Sequence, residues 1–467
     1  MPDASNIPSI RGMLDREILE SLVASEDIEI VLAVFPDMYG RLVGKRIMGE
    51  FFVNDVLGGE LHACDYLLAC DIEMEPIPGY KFTSWEQGYG DFRLHPDMNT
   101  LRVCDWLDKT AIVLCDVYEE RRDALVNVAP RTILRKQIDR AARNGYVAKA
   151  GSELEFYLFN DSYEQVDQKG FIGLETASRY MEDYNILQGT KEEHVIGAIR
   201  RHVDRSGIPV EFSKGETGHG QQEINLRYAE FLEMADRHAI YKHAAKEIVW
   251  QKDRAITFMA KWDQAQAGSS MHIHVSLWDA SGNRPLFQGN DELGDLRVSP
   301  IFRWFLGGWM AHIREISAFY APYPTSYKRY VAGSFAPTKI AWAPENRTAG
   351  FRIVGHGPSL RIECRIPGAD ANPYLAFAAT LAAGLDGIEN ETEPPPPVVG
   401  DAYGKANLPS VPLTLNEAIA ELESSGWARQ VFGEDVVSHY LHFFRTEQKQ
   451  FDQVVTDWER ARYFERA

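Results

Sequence analysis

The stretch Ala150-Gly-Ser-Glu153-Leu-Glu155-Phe-Tyr-Leu-Phe159 alternates apolar and acidic positions, the pattern of a buried β-strand. Side chains two apart on a strand share a face, so Glu153 and Glu155 present paired carboxylates. Flanked by Leu154, Phe156 and Leu158, such a like-charged pair is costly unless a cation sits between its members. A divalent metal is the natural candidate. A solvated acidic strand face is the plainer alternative, and later segments must supply ligands for the metal to be preferred.

They do supply them. Gly215-Glu216-Thr-Gly-His-Gly-Gln-Gln-Glu223 brackets a Gly-rich loop with two more carboxylates, and its glycines let backbone approach a ligand closely. Met271-His272-Ile-His274 puts two imidazoles on one face of a strand, a ligand arrangement. Arg361-Ile-Glu363-Cys-Arg365 sets a carboxylate between arginines. Each segment alone has a bland reading: a Gly-rich hairpin with exposed acids, structural histidines, or opposite charges that simply pair. Arg329, Arg347, Arg352, Arg361 and Arg365 crowd one C-terminal region, and guanidinium forks suit phosphate and carboxylate oxygens. Together these residues describe a site for metal, polyphosphate and an anionic substrate. No GxxxxGK[ST] occurs, which excludes a P-loop protein.

The elements that must position these residues follow from periodicity and turn chemistry. A helix is expected over Met13–Ala24, strands over Ile28–Phe35, Leu42–Ile47 and Ala111–Val117, and loop over Asn54–Leu67. Pro76–Asp97, rich in Pro, Gly and aromatics, reads as loop or edge. Beyond Pro130, helices are expected up to Ala142, then over Glu192–Arg205, Glu230–Arg254, Ile301–Tyr320 and Asn372–Ile388. Strands are expected over Val210–Ser213, Phe258–Trp262 and Met271–Trp278, and two helices close the chain. The division implied is a small, mostly β domain, 1–120, and a large domain, 121–467.

At 467 residues the chain can bury a large core. Its net charge of −19 disfavours nucleic acid and anionic membranes as partners. Five cysteines without a CxxC pair point to reduced thiols, and there is no leader pattern or membrane-length apolar run. These features imply a cytoplasmic protein that neither spans a membrane nor binds nucleic acid.

The blocks SELEF, GQQE, MHIHVSL, KRYVAGSFAP, NRTAGFRI and RIECRIPGADANPYLAFAATLAAGLDGI resemble the glutamine synthetase superfamily, in that family's order and over roughly residues 20–460. The resemblance implies an α+β fold, with a β-grasp N-terminal domain and a large catalytic domain of antiparallel sheet and helices. It implies a homo-oligomer, a dodecamer of two stacked hexamer rings with active sites between neighbouring subunits. It further implies ATP as co-substrate and Mg²⁺ or Mn²⁺, two or three per site. By motif position one metal belongs to Glu155, Glu216 and Glu223, the other to Glu153, His272 and Glu363. His274, Arg352 and Arg365 match positions that touch phosphates; Arg329 and Arg347 match those that hold glutamate and the transferring phosphoryl group. Asp65, in His-Ala-Cys-Asp-Tyr, matches the ammonium-binding aspartate, without the family's DGSS context.

The flap departs from the family. Where glutamine synthetases carry YEAP, whose glutamate binds ammonium and takes its proton, this chain reads Ser334-Phe335-Ala336-Pro337. An aromatic ring accepts no proton. A chain that keeps the metal and phosphate positions but loses this acid is expected to activate glutamate and pass it to an organic amine, such as a polyamine, an alkylamine, ethanolamine or an aromatic amine. Acids near the N-terminal loop, including Asp65, favour a cationic acceptor; Phe335, with Trp85 and Tyr66 expected nearby, favours an apolar one. Ordinary glutamine synthesis with another base, and an inactive structural or regulatory homologue, are the alternative readings.

Overall fold

The computed structural model describes residues 10–467. A six-stranded sheet is built from β1 (Ile30–Pro36), β2 (Leu42–Met48), β3 (Leu61–Cys64), β4 (Asp91–Pro96), β5 (Arg102–Val103) and β6 (Thr110–Glu119). Its order is β2-β1-β6-β4-β3, with β5 added against β6. The central β1 and β6 are nearly continuous apolar runs, fully buried in most positions, and they pair in parallel.

The second sheet uses β7 (Tyr146–Phe159), β8 (Val210–Gly215), β9 (Gln221–Leu226), β10 (Ala229–Glu230), β11 (Ala255–Thr257) and β12 (Met271–Asp279). A separate hairpin, β13 (Gln288–Leu293) with β14 (Leu296–Val298), follows. The sheet is then completed by β15 (Trp342–Pro344), β16 (Phe351–Val354) and β17 (Arg361–Cys364). Its order is β15-β16-β17-β12-β7-β9-β8, antiparallel except for the β15–β16 pair, while β10 and β11 pair with β7. The fold is thus α+β, as expected.

Helices cover this sheet. Pro373–Glu389 opens with Asn372 as N-cap and Pro373 in the first turn, and nearly all of its small side chains are buried. It crosses Pro300–His312 at Gly308 and Gly387, where a Cβ on Gly308 would fall 2.4 Å from the Gly387 Cα. Asn372 also donates to the carbonyls of Asp37 and Met38, tying the turn after β1 to this helix. Buried Arg131 adds a second tie, reaching Asp236 and Asp97 at 2.8 Å each and Asp116 as well.

Several expectations change. The strand expected at Phe258–Trp262 is instead Ala255–Thr257; beyond it the Ala260 amide bonds Asp370, and the chain leaves the sheet. Asn54–Leu67 is not all loop, because Leu61–Cys64 pairs with β4. The helix expected over Ile301–Tyr320 breaks into Pro300–His312 and Ser317–Tyr320. There Arg314 bonds Glu421 and Glu315 accepts from Ser425, contacts to a distant segment that outweigh helical continuity. The C-terminal part holds four helices rather than two, broken at Ser425 and at Gly433, whose φ of 93° suits only glycine.

Candidate active site

Strand register assembles the site. Across adjacent strands Lys214 faces Glu223 and Glu223 faces Glu155, so β8, β9 and β7 lay one row of charge across the sheet. Glu153 faces His272, His274 faces Glu363, and Glu363 faces Arg352, continuing the row over β12, β17 and β16. Residues that pair directly project to the same face, so a motif scattered over more than two hundred residues converges.

Two clusters result. Glu155, Glu216 and Glu223 each bring one carboxylate oxygen within 4.8 Å of the others, and Glu153, His274 and Glu363 bring ligand atoms equally close. His272 donates to Glu153 at 3.0 Å and lies 3.8 Å from Glu363; His274 donates to the other oxygen of Glu153 at 2.9 Å. Glu363 is fully buried and gripped by Arg352, at 2.8 Å, and by Arg365. Glu155 accepts from the Ser270 amide at 2.9 Å and from Gln221 at 3.2 Å.

The electrostatics differ between the clusters. Burial raises the Glu153 carboxyl, but His274 and His272 outweigh it and hold that group well below the usual carboxylate range. Glu363 is lowered likewise, burial being overcome by His274 and Arg365. Glu223 goes the other way: burial and the nearby charge of Glu153 push it up. Lys214 beside it offsets this only in part, and an oxygen-rich set such as Glu155, Glu216 and Glu223 suits a hard divalent cation. In the other cluster, the His272 Nε2 is buried with no hydrogen-bond partner among the described residues. The His272 Nδ1 is the nitrogen that faces both Glu153 and Glu363, a set of ligand atoms that also fits a metal.

A cavity of about 520 Å³ runs over both clusters and is lined by Arg329, Arg347, Arg352 and Arg365 among others. Arg329 is buried, whereas Arg347 is exposed at the opening. Phe335 stands at the mouth, 55% exposed and with φ of 59°, an uncommon conformation for an aromatic residue. Tyr184 and Phe212 also line the cavity. A second cavity of about 540 Å³ shares Glu153, Phe212 and Asn225 with the first and continues past His274, Tyr228 and Arg361.

Asp65 is not brought to this site within the chain. It accepts from Thr83 at 2.7 Å and from the Gly90 amide at 2.9 Å, beside the six-stranded sheet. Tyr66 and Trp85 pack on Tyr89 instead of on Phe335. Lys214, Gln221, Tyr184 and Phe212 were not singled out in the sequence. The alternation of β8 would have exposed Lys214, which lies two residues before Glu216.

This sheet, with two carboxylate clusters, two imidazoles and an arginine wall on one face, is the arrangement of a nucleotide-using, metal-dependent ligase. Residues 127–463 match the family described as glutamine synthetase, catalytic domain. The chain belongs to that family. It is 46% identical over 450 residues to the γ-glutamylethanolamide synthetase GlnA4 of Streptomyces coelicolor, covering 96% of each chain. It is 36% identical to the glutamate–isopropylamine ligase of a Pseudomonas species, covering 96% of this chain and 97% of the relative. Among solved structures, apo GmaS superposes with a TM-score of 0.82 at 28% identity, over 95% of this chain and 99% of that one.

Proposed function

We propose that this protein is an ATP-dependent glutamate–amine ligase, joining the side-chain carboxylate of glutamate to a small organic amine and releasing ADP and phosphate. One observation carries the reading: the clusters and the arginine wall surround a single cavity whose mouth bears Phe335, at the flap position where an ammonium-using enzyme carries a carboxylate. The two relatives named for ethanolamide and isopropylamine products support an organic acceptor.

Glu155, Glu216 and Glu223 hold one divalent ion in this reading, and Glu153, His272 and Glu363 a second, Mg²⁺ or Mn²⁺, with two or three per site. We assign His272 as the third ligand because its Nδ1 faces both Glu153, at 3.0 Å, and Glu363, at 3.8 Å, whereas both ring nitrogens of His274 are engaged, by Glu153 and Arg361. Bound there, such ions supply neutralisation of the ATP phosphates. His274, Arg352 and Arg365 then hold phosphate oxygens, and the second cavity takes the nucleoside end. Arg329 and Arg347 hold glutamate and the transferring group, spreading charge as a glutamate oxygen attacks the γ-phosphorus and the bond to ADP breaks. The amine nitrogen next attacks the acyl carbon, the carbon–oxygen bond to phosphate breaks, and the nitrogen gives up a proton. Phe335 offers the acceptor apolar surface in place of charge.

We further propose a homo-dodecamer of two stacked hexamer rings in the cytoplasm, with a β-grasp-like domain over 1–120 and a catalytic domain over 121–467. Asp65, remote from its own chain's cluster, would then serve a neighbouring subunit's site. The function is tested with a panel of primary amines, ammonium included, scored by phosphate release. At least one amine should exceed ammonium tenfold in kcat/KM; ammonium as the best acceptor would make the enzyme a glutamine synthetase.

A further inference from the structure

Glu155, Glu216 and Glu223 already have a cation among them. The Lys214 ammonium donates to Glu216 and lies 3.6 Å from Glu223. Its placement is built into the sheet: a bulge between Val210 and Phe212 resets the register of β8, so that Lys214 comes to stand directly opposite Glu223. The side chain is mostly buried, and its nitrogen also sits 4.8 Å from the centre of the Tyr184 ring.

We propose that Lys214 is an internal counter-ion of this cluster, and that a divalent cation enters only by displacing its ammonium toward Tyr184. The inference rests on the metal reading given above. A divalent ion takes carboxylate oxygens at about 2.0–2.6 Å, which requires the same oxygens that the ammonium now occupies. Two cations a few ångströms apart in a buried cluster repel strongly, so one must yield. Lysine's flexible four-carbon stem lets its charged end move while the backbone stays in register. The Tyr184 ring is the ready alternative, since an ammonium over an aromatic face retains part of its stabilisation.

Tyr184 is itself held beside the cluster. Its amide donates to the Gly215 carbonyl at 3.3 Å, and the preceding Asp183 amide donates to the Glu216 carbonyl at 3.1 Å. Tyr184 also lines the cavity that Phe335 lines. Displacement of Lys214 toward Tyr184 therefore links metal loading to a side chain that lines the same cavity. Without metal the lysine offsets the repulsion between Glu216 and Glu223.

The test is Mn²⁺ affinity of the full-length protein, followed by electron paramagnetic resonance and calorimetry without substrates. Lys214→Met should bind its cation at least tenfold more tightly than wild type, melt at a lower temperature without metal, and gain more on adding it. Tyr184→Leu should bind several-fold more weakly. Adding Glu216→Gln to Lys214→Met should cancel the gain, locating it at this cluster. If Lys214→Met does not fold, Lys214→Gln carries the same expectation. Equal or weaker Mn²⁺ affinity in a folded Lys214 variant overturns the proposal and leaves the metal reading standing. An absence of Mn²⁺ binding in wild type and variants alike overturns both.

Discussion

The guanidinium of Arg329 donates to the backbone carbonyl of Ile366 at 2.8 Å. Its other terminal nitrogen reaches the Arg365 carbonyl, also at 2.8 Å, so this buried arginine clasps the chain just past Glu363. A lysine cannot reproduce both bonds with one nitrogen and still face the cavity. Arg329→Lys should lower kcat/KM more than tenfold, about 1.4 kcal/mol or more, in the phosphate-release assay. The unpaired carbonyl should cost a further 1–3 kcal/mol or so of stability, read by denaturant melts. Full activity in this variant would remove Arg329 from the substrate side.

Removing Glu216 takes one of three carboxylates from its cluster. Glu216→Ala should abolish phosphate release at saturating Mg²⁺, because the loss is of cation placement and not of amine affinity. Turnover close to wild type would show that Glu216 is no ligand.

In the proposed reading, Phe335 decides between ammonium and an organic amine. Ammonium needs a carboxylate to bind and to lose a proton, whereas buried methylenes gain roughly 0.8 kcal/mol each against an apolar wall. Phe335→Glu should therefore narrow the ratio of kcat/KM between the best amine and ammonium. Phe335→Gly should relieve the backbone at φ 59° and still lose the preference, separating the ring's effect from strain. An unchanged ratio in both variants would place selectivity elsewhere.

A pair of acids behind the mouth makes stability depend on pH. The Gln222 amide nitrogen donates to Glu182 at 2.6 Å and to Glu192, and Gln188 also donates to Glu192. Burial first, and then the neighbouring Glu192 charge, push Glu182 up to about 8; burial raises Glu192 as well, opposed in part by its hydrogen bonds from Gln188 and Gln222. A raised folded pKa means that the folded chain keeps a proton the unfolded chain has released. The contribution is complete below about pH 4.5 and is lost as pH climbs toward 8. Glu192→Gln removes the repulsion, so melting temperature should fall less steeply between pH 5 and 8. Hydrogen exchange over 178–187 should also slow at pH 8. The same pH slope in wild type and variant would mean the pair does not share a proton.

Local pattern carried a great deal. The period-2 placement of Glu153 with Glu155 and of His272 with His274 needed only strand geometry, and Gly-rich spacing exposed Glu216 and Glu223. Strands such as Ile28–Phe35 and Ala111–Val117 were legible because they are largely buried and read as apolar runs interrupted only by Glu29 and Asp116. Short pieces were not: Leu61–Cys64 becomes a strand only because β4 lies beside it, and Ile301–Tyr320 looks continuous until contacts from Glu421 and Ser425 break it.

By itself, then, the sequence determined which side chains share a strand face and that their chemistry is acidic, imidazole and guanidinium together. Only the tertiary structure decided which faces meet. Register set His274 against Glu363, placed Lys214 opposite Glu223, and left Asp65 bonded to Thr83 and Gly90, away from the cluster. The physical reason is range. Alternation along one strand is a property of neighbouring dihedral angles, whereas pairing between segments scores of residues apart is fixed by the burial of the whole sheet under its helices.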